Sequence, residues 1–166
     1  GWKPGTGRII DPRSGDRVLR GFAGLGPLPG SGLILMGGYD HMIMDDVLLE
    51  DDEGHQGIVA LFVDPRKANR GGVYAAFRTH EHPDGKTTDI VAIDAHIRLE
   101  RKLSKGVAAI AESESAFITG ETGLGPNPDY PVHKIRQLGS ATRLTLKGKS
   151  AGLSLDFLYA SGDQNY

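Results

Sequence analysis

From Gly57 onward the chain alternates apolar and polar residues in extended segments, and the connections between them run short and long in turn. Asp64–Gly71, Arg101–Gly106 and Gly148–Ala151 are expected to be short connections, and His80–Thr87 and Gly120–Pro131 long ones. Successive side chains of a strand point to opposite faces. Alternation sustained over such lengths therefore demands a sheet whose two faces differ chemically. The order of connections fits antiparallel strands running up and down, with one plain rim and one elaborated rim.

Thr88–Glu100 carries the pattern most cleanly. Val91, Ile93, Ala95, Ile97 and Leu99 share one side, and Asp94, His96, Arg98 and Glu100 share the other, which leaves no room for a helix. Gly72–Thr79 alternates more loosely, with Val73, Ala75 and Phe77 against Tyr74, Ala76 and Arg78. His133–Lys147 reads as one long strand ending in Thr142, Leu144 and Leu146 against Arg143, Thr145 and Lys147. After the turn Gly148-Lys149-Ser150-Ala151, the set Leu153, Leu155, Phe157 and Tyr159 resumes the apolar side, and the two runs make a hairpin. Gly106–Thr119 is a strand of small residues with Glu112 and Glu114, and Gly57–Val63 is apolar on both sides. Leu33–Leu49 is the first long extended stretch, with a bend or bulge expected at Gly37-Gly38. Residues 1–31 form a loop-rich N-terminal segment holding one short strand near Arg17–Phe22, and residues 32–166 hold the barrel strands.

The 166 residues suffice for one domain or a small closed barrel. A formal net charge of -2 leaves no basic field for nucleic acid, and the absence of cysteine removes disulfides, thiolate metal sites and thiol nucleophiles. Twenty-four glycines and nine prolines favour a turn-rich chain, and no apolar run approaches the roughly 18 residues of a membrane helix. Gly1-Trp2-Lys3-Pro4-Gly5 is neither an initiator Met nor a signal peptide, so a processed N-terminus or a piece of a longer chain is expected.

Alternation does not say which way the apolar face looks. In a soluble barrel of lipocalin or cyclase type it points inward around a hydrophobic ligand. In a transmembrane barrel it meets lipid while the polar face lines a wet lumen, and the two rims differ in loop length. The apolar sets are rich in Ile, Leu, Val and Ala and poor in large aromatics, a composition that lipid accepts more readily than a packed core does. A single Trp and few aromatics make thin interfacial girdles, which weighs the other way. A β-sandwich used for surface contacts is a third arrangement.

The C-terminal hairpin is more specific. Arg143-Leu144-Thr145-Leu146-Lys147, a short turn, and then Gly152-Leu153-Ser154-Leu155-Asp156-Phe157-Leu158-Tyr159-Ala160-Ser161-Gly162-Asp163 resembles a strand pair of large bacterial outer-membrane barrels, above all the alginate-export type. Gly38-Tyr39-Asp40 followed by Asp45-Asp46 has a similar character. The resemblance implies an all-β, antiparallel up-and-down transmembrane β-barrel in the bacterial outer membrane. It would be a porin or exporter passing small or anionic solutes, with the lipid bilayer as partner. It also implies a segment of a larger barrel, because Tyr166 falls on the outer side by strand counting. The polar face is mixed in sign here, whereas the alginate-export lumen is basic.

No catalytic motif and no cofactor site emerge. Arg78, Asp94, His96, Arg98, Arg143 and Lys147 are the expected lumen-lining or ligand-binding residues, with Asp94, His96 and Arg98 forming one polar trio. His80-Glu81-His82 has the spacing of two imidazoles on one strand face, but neither Asp84 nor His133 completes a known metal pattern, and a polar loop tip is expected. The acidic run Asp45, Asp46, Glu50, Asp51, Asp52 and Glu53 is a solvated loop with a possible divalent ion, although it lacks EF-hand spacing. Gly148-Lys149-Ser150 lacks the upstream glycine and following helix of a phosphate loop, and Gly24, Gly26 and Gly30 lack dinucleotide spacing.

Overall fold

The computed structural model describes residues 17–44, 53–63, 66–125, 129 and 131–162. Eight strands follow one another: β1 (Arg17–Leu25), β2 (Leu33–Met44), β3 (Glu53–Val63), β4 (Arg70–Glu81), β5 (Thr87–Ser104), β6 (Val107–Thr122), β7 (His133–Lys147) and β8 (Gly152–Ala160). They form one antiparallel sheet in sequence order, each strand paired with the next. β1 and β8 are its two edges, so the sheet is open and the expected closure into a barrel is not made among the described residues. Among the described residues no helix is long and apolar enough to cross a membrane, which says nothing of crossing by strands.

The strands are longer than the common five or six residues. β5 has 18 residues and β6 has 16, because charged residues such as Arg101 and Lys102 extend the ladder while their side chains reach solvent. This lengthening also shortens one connection expected to be long. β4 runs to Glu81 and β5 starts at Thr87, leaving residues 82–86 as a compact turn. Gly85 (φ 79°) sits in it, its N–H bonded to the His82 carbonyl at 2.9 Å. Asp84 faces Lys86 Nζ at 2.8 Å, and this bond holds the Asp84 carboxyl below the usual carboxylate range. The neighbouring connection, residues 123–132, is long as expected. On the opposite rim β5 and β6 join through Lys105-Gly106, where Gly106 (φ 85°) takes the left-handed backbone that such a two-residue hairpin requires.

Two further expectations need correction. Gly37 and Gly38 pair in unbroken register with Ala23 and Phe22, and the register shifts fall instead at Arg17/Val18 and Lys102/Ser104. Gly38 makes room: a Cβ there would stand 3.2 Å from Cβ of Phe22. His80-Glu81-His82 is not a solvated loop tip. His80 lies in β4, His82 follows its end, and both imidazoles are buried. The continuation of the first long stretch beyond Met44, toward Leu49, lies outside the described residues.

The described residues hold no globular core. Among the described residues the only buried apolar side chains are Met42 and Ala76. The chain exposes 12116 Å², where a compact monomer of this mass would expose about 8,000 Å².

Candidate functional site

Register assigns each side chain to a face. Arg20, Asp40, Gln56, Arg78 and Ile90 stand in one row across β1 to β5, and the face they define also carries Met42, Ala76 and His80. Asp40, Met42, Ala76 and His80, all on this face, are buried, so it is the more crowded of the two. The opposite face carries Leu35, Leu61, Val73, Ala95, Ser115, Ser140 and Tyr159 in a single row.

On the crowded face two polar groups stand apart. In the first, both Arg20 nitrogens grip Asp40, Nε to Oδ1 at 2.7 Å and one terminal nitrogen to Oδ2 at 2.8 Å, and Gln56 Nε2 adds 3.0 Å. Asp40 is 0% exposed. A buried carboxylate persists only with such partners. The second group is a ladder across four strands, Arg98–Glu112–Arg143–Asp156 in direct register. Arg98 donates to Glu112 at 2.5 Å and to Glu100 at 3.0 Å, and Arg143 grips Asp156 through two bonds of 2.6 and 2.9 Å.

All six expected site residues lie on this face. Arg98 and Arg143 are members of the ladder, and Lys147 lies farther along β7, opposite Ala108 and Gly152. His96 pairs with Gly72 and Glu114, and Asp94 with Tyr74 and Ala116. The trio Asp94, His96 and Arg98 is thus consecutive on one face, but Arg98 turns toward Glu112 and Glu100. Arg78 stands apart, in the row of Arg20 and Asp40. Sequence reasoning missed the Arg20–Asp40–Gln56 group because its members are 16 and 20 positions apart. Only the pairing register brings them together.

The other face is a continuous apolar band. Ile93, Ile97, Leu144, Leu146, Leu155 and Phe157 all lie on it, 41–58% exposed, and Leu35, Val59, Leu61, Val73 and Phe77 continue it across β2 to β4. On β5 the band runs from Val91 to Leu99, bounded by Asp89 and Arg101. Four of its hydroxyls pair across β6 and β7, Ser113 with Thr142 and Ser115 with Ser140, each pair at 2.9 Å. Seven strand spacings by the roughly 27 Å from Val91 to Leu99 give a footprint on the order of 900 Å², above the 300–600 Å² of the largest apolar patch on a typical soluble monomer.

His41, Glu53 and His55 cluster at one end of this band, on the rim of the β2–β3 connection. Of the acidic run expected to hold an ion, residues 45–52 lie outside the described residues and Glu53 opens β3. Gly148-Lys149-Ser150 forms the β7–β8 turn, closed by a Gly148 N–H bond to the Ala151 carbonyl at 2.8 Å. The rings of His80 and His82 lie 5.2 Å apart, tilted by 40°, and His82 Nε2 meets the Thr88 hydroxyl at 3.2 Å. No protein-family model, curated protein or solved structure matches the chain.

Proposed function

We propose that this sheet is an arc of the wall of a transmembrane β-barrel in a bacterial outer membrane, acting as a channel for small polar solutes. The observation that carries the reading is the exposed apolar band on one face, without charge on β5 between Asp89 and Arg101 and on β7 beyond Arg136, backed by the ion-paired ladder on the other. On β5 the band spans about 27 Å along the strand, and the distance between its bounding charges is about 40 Å. At a tilt near 40° these become roughly 21 and 31 Å, which bracket the band of about 25 Å on outer-membrane barrels. Further strands pairing at β1 and β8 would close the wall and remove both edges.

Arg98, Arg143, Arg78, Lys147, Asp94 and His96 then line the lumen. Because Arg98, Arg143 and Arg20 each face a carboxylate, this arc supplies little net field for selecting anions. Weak charge selectivity follows, in place of the anionic-sugar preference of a basic lumen. A soluble barrel of lipocalin type would need an apolar crowded side; Ile34, Met36, Ile58 and Phe62 meet that on β2 and β3, but the ionic ladder across β5 to β8 favours a wet lumen.

The test is planar-bilayer recording of the purified protein, with flotation on lipid vesicles. Stepwise conductance with a cation-to-anion permeability ratio near one is expected. Correct insertion without conductance would remove the channel role. A protein that stays monomeric in detergent-free buffer and does not float would remove the membrane reading.

A further inference from the structure

We propose that His41, Glu53 and His55 form a binding site for a divalent transition ion of the zinc class, clipping β2 to β3 at one end of the apolar band. His41 and His55 are direct cross-strand partners, so the backbone ladder fixes their separation. Their rings stack at 5.1 Å, and their Nδ1 atoms stand 3.4 Å apart. Two nitrogens held at 2.0–2.1 Å on a tetrahedral ion are separated by about 3.4 Å. The pair therefore already has the spacing of two ligands around one ion. A divalent ion between them would replace this contact, with each neutral ring then carrying its proton on Nε2.

Glu53 supplies the third ligand. Its Oε1 lies 3.4 Å from Nε2 of His55, and one ligand atom from each of the three residues lies within 4.8 Å of the others. The Glu53 side chain is largely exposed, so it can swing to the ion at little cost. Tyr39 bonds Nδ1 of His55 at 2.6 Å, which orients that ring. On ion binding the hydroxyl gives up this contact and moves beside the ion, and water takes the fourth position. Two imidazoles and a carboxylate favour zinc-class ions over calcium or magnesium, which want oxygen ligands.

The membrane reading is not needed for this site, and the two fail separately. The experiment is titration of the folded, detergent-solubilised protein with Zn²⁺ by calorimetry and with Co²⁺ by visible absorption. One Zn²⁺ per chain is expected at this site, with the intense d–d bands of four-coordinate Co²⁺. Affinity should fall at least tenfold in His41→Ala and in His55→Ala, fall less in Glu53→Gln, and stay unchanged in His133→Ala. Tyr39→Phe should retain binding. Nitrogen-15 shifts of the His41 and His55 rings on adding Zn²⁺ to the unaltered protein give a readout independent of how the variants fold. No Zn²⁺ uptake, uptake indifferent to both histidine variants, or unmoved ring resonances would overturn the proposal.

Discussion

The two faces of this sheet share one backbone and one hydrogen-bond ladder, yet they solve opposite problems. On the crowded face each charge in the two ionic groups meets a partner across a strand boundary, Arg20 with Asp40, Arg98 with Glu112, Arg143 with Asp156. On the open face charge is absent between Asp89 and Arg101 of β5, and even the serine hydroxyls bond each other. A polar group in water needs no protein partner; one facing hydrocarbon does. Hydroxyl pairs stand on both faces, Ser113 with Thr142 and Ser115 with Ser140 on the open one and Thr145 with Ser154 on the other, so the charge-free run of the open face on β5 is the detail that most separates the two.

Substitution of neighbours that point opposite ways should break the comparison most strongly. Ile97→Lys places a charge in the middle of the band and should cost about 2–4 kcal/mol of assembly into vesicles. His96→Lys, one residue away on the polar face, should cost little. Equal effects in denaturant-unfolding measurements from liposomes would mean that the faces do not see different solvents.

Arg20→Ala comes next. It leaves the buried Asp40 with Gln56 alone, and the loss should be about 1–3 kcal/mol, below that of a fully buried pair because Arg20 is half exposed. Adding Asp40→Asn to Arg20→Ala should recover part of it. If the double variant is no better than the single one, the cost is lost packing and not an unpaired charge.

Ser140→Ala should cost about 1 kcal/mol by stranding the Ser115 hydroxyl, and the Ser115→Ala/Ser140→Ala pair should come close to neutral. In water both the single and the double changes would be nearly silent, so this smaller effect sharpens the distinction between the two environments.

The smallest effect is at the β4–β5 turn, outside the band. The Asp84 carboxyl is held below its ordinary range by Lys86, so its contribution is complete above the ordinary carboxylate range and is lost as the pH falls through the lowered value. Asp84→Asn should flatten the acid limb of a stability–pH curve slightly and leave the neutral region unchanged.

Strand identity was legible because period-two alternation needs no long-range information: Val91 to Leu99 declares its faces by itself. The hairpin across Gly148–Ala151 was legible for the same local reason. Pairing across the sheet was not. His41 and His55, or Arg20 and Asp40, carry no mark of partnership until register sets them opposite each other. Gly37-Gly38 misled because a glycine pair reads equally as a bulge or as space for a neighbour, and here Phe22 fills the space. His80 and His82 misled because polar residues near a turn read as solvated, whereas here they fold onto the crowded face. The six lumen candidates shared a face because they were chosen on strands with clear parity, but the carboxylates that pair with them came only with the ladder.

The central claim is best tested by spin labels placed singly at positions 90 to 99 of β5 in the membrane-reconstituted protein. Collision with oxygen, which concentrates in lipid, is compared with collision with a water-soluble nickel chelate. Odd positions should favour oxygen and even positions the chelate, in strict alternation. Chelate access at every position, or odd-numbered labels immobilised and shielded from both reagents, would contradict the account.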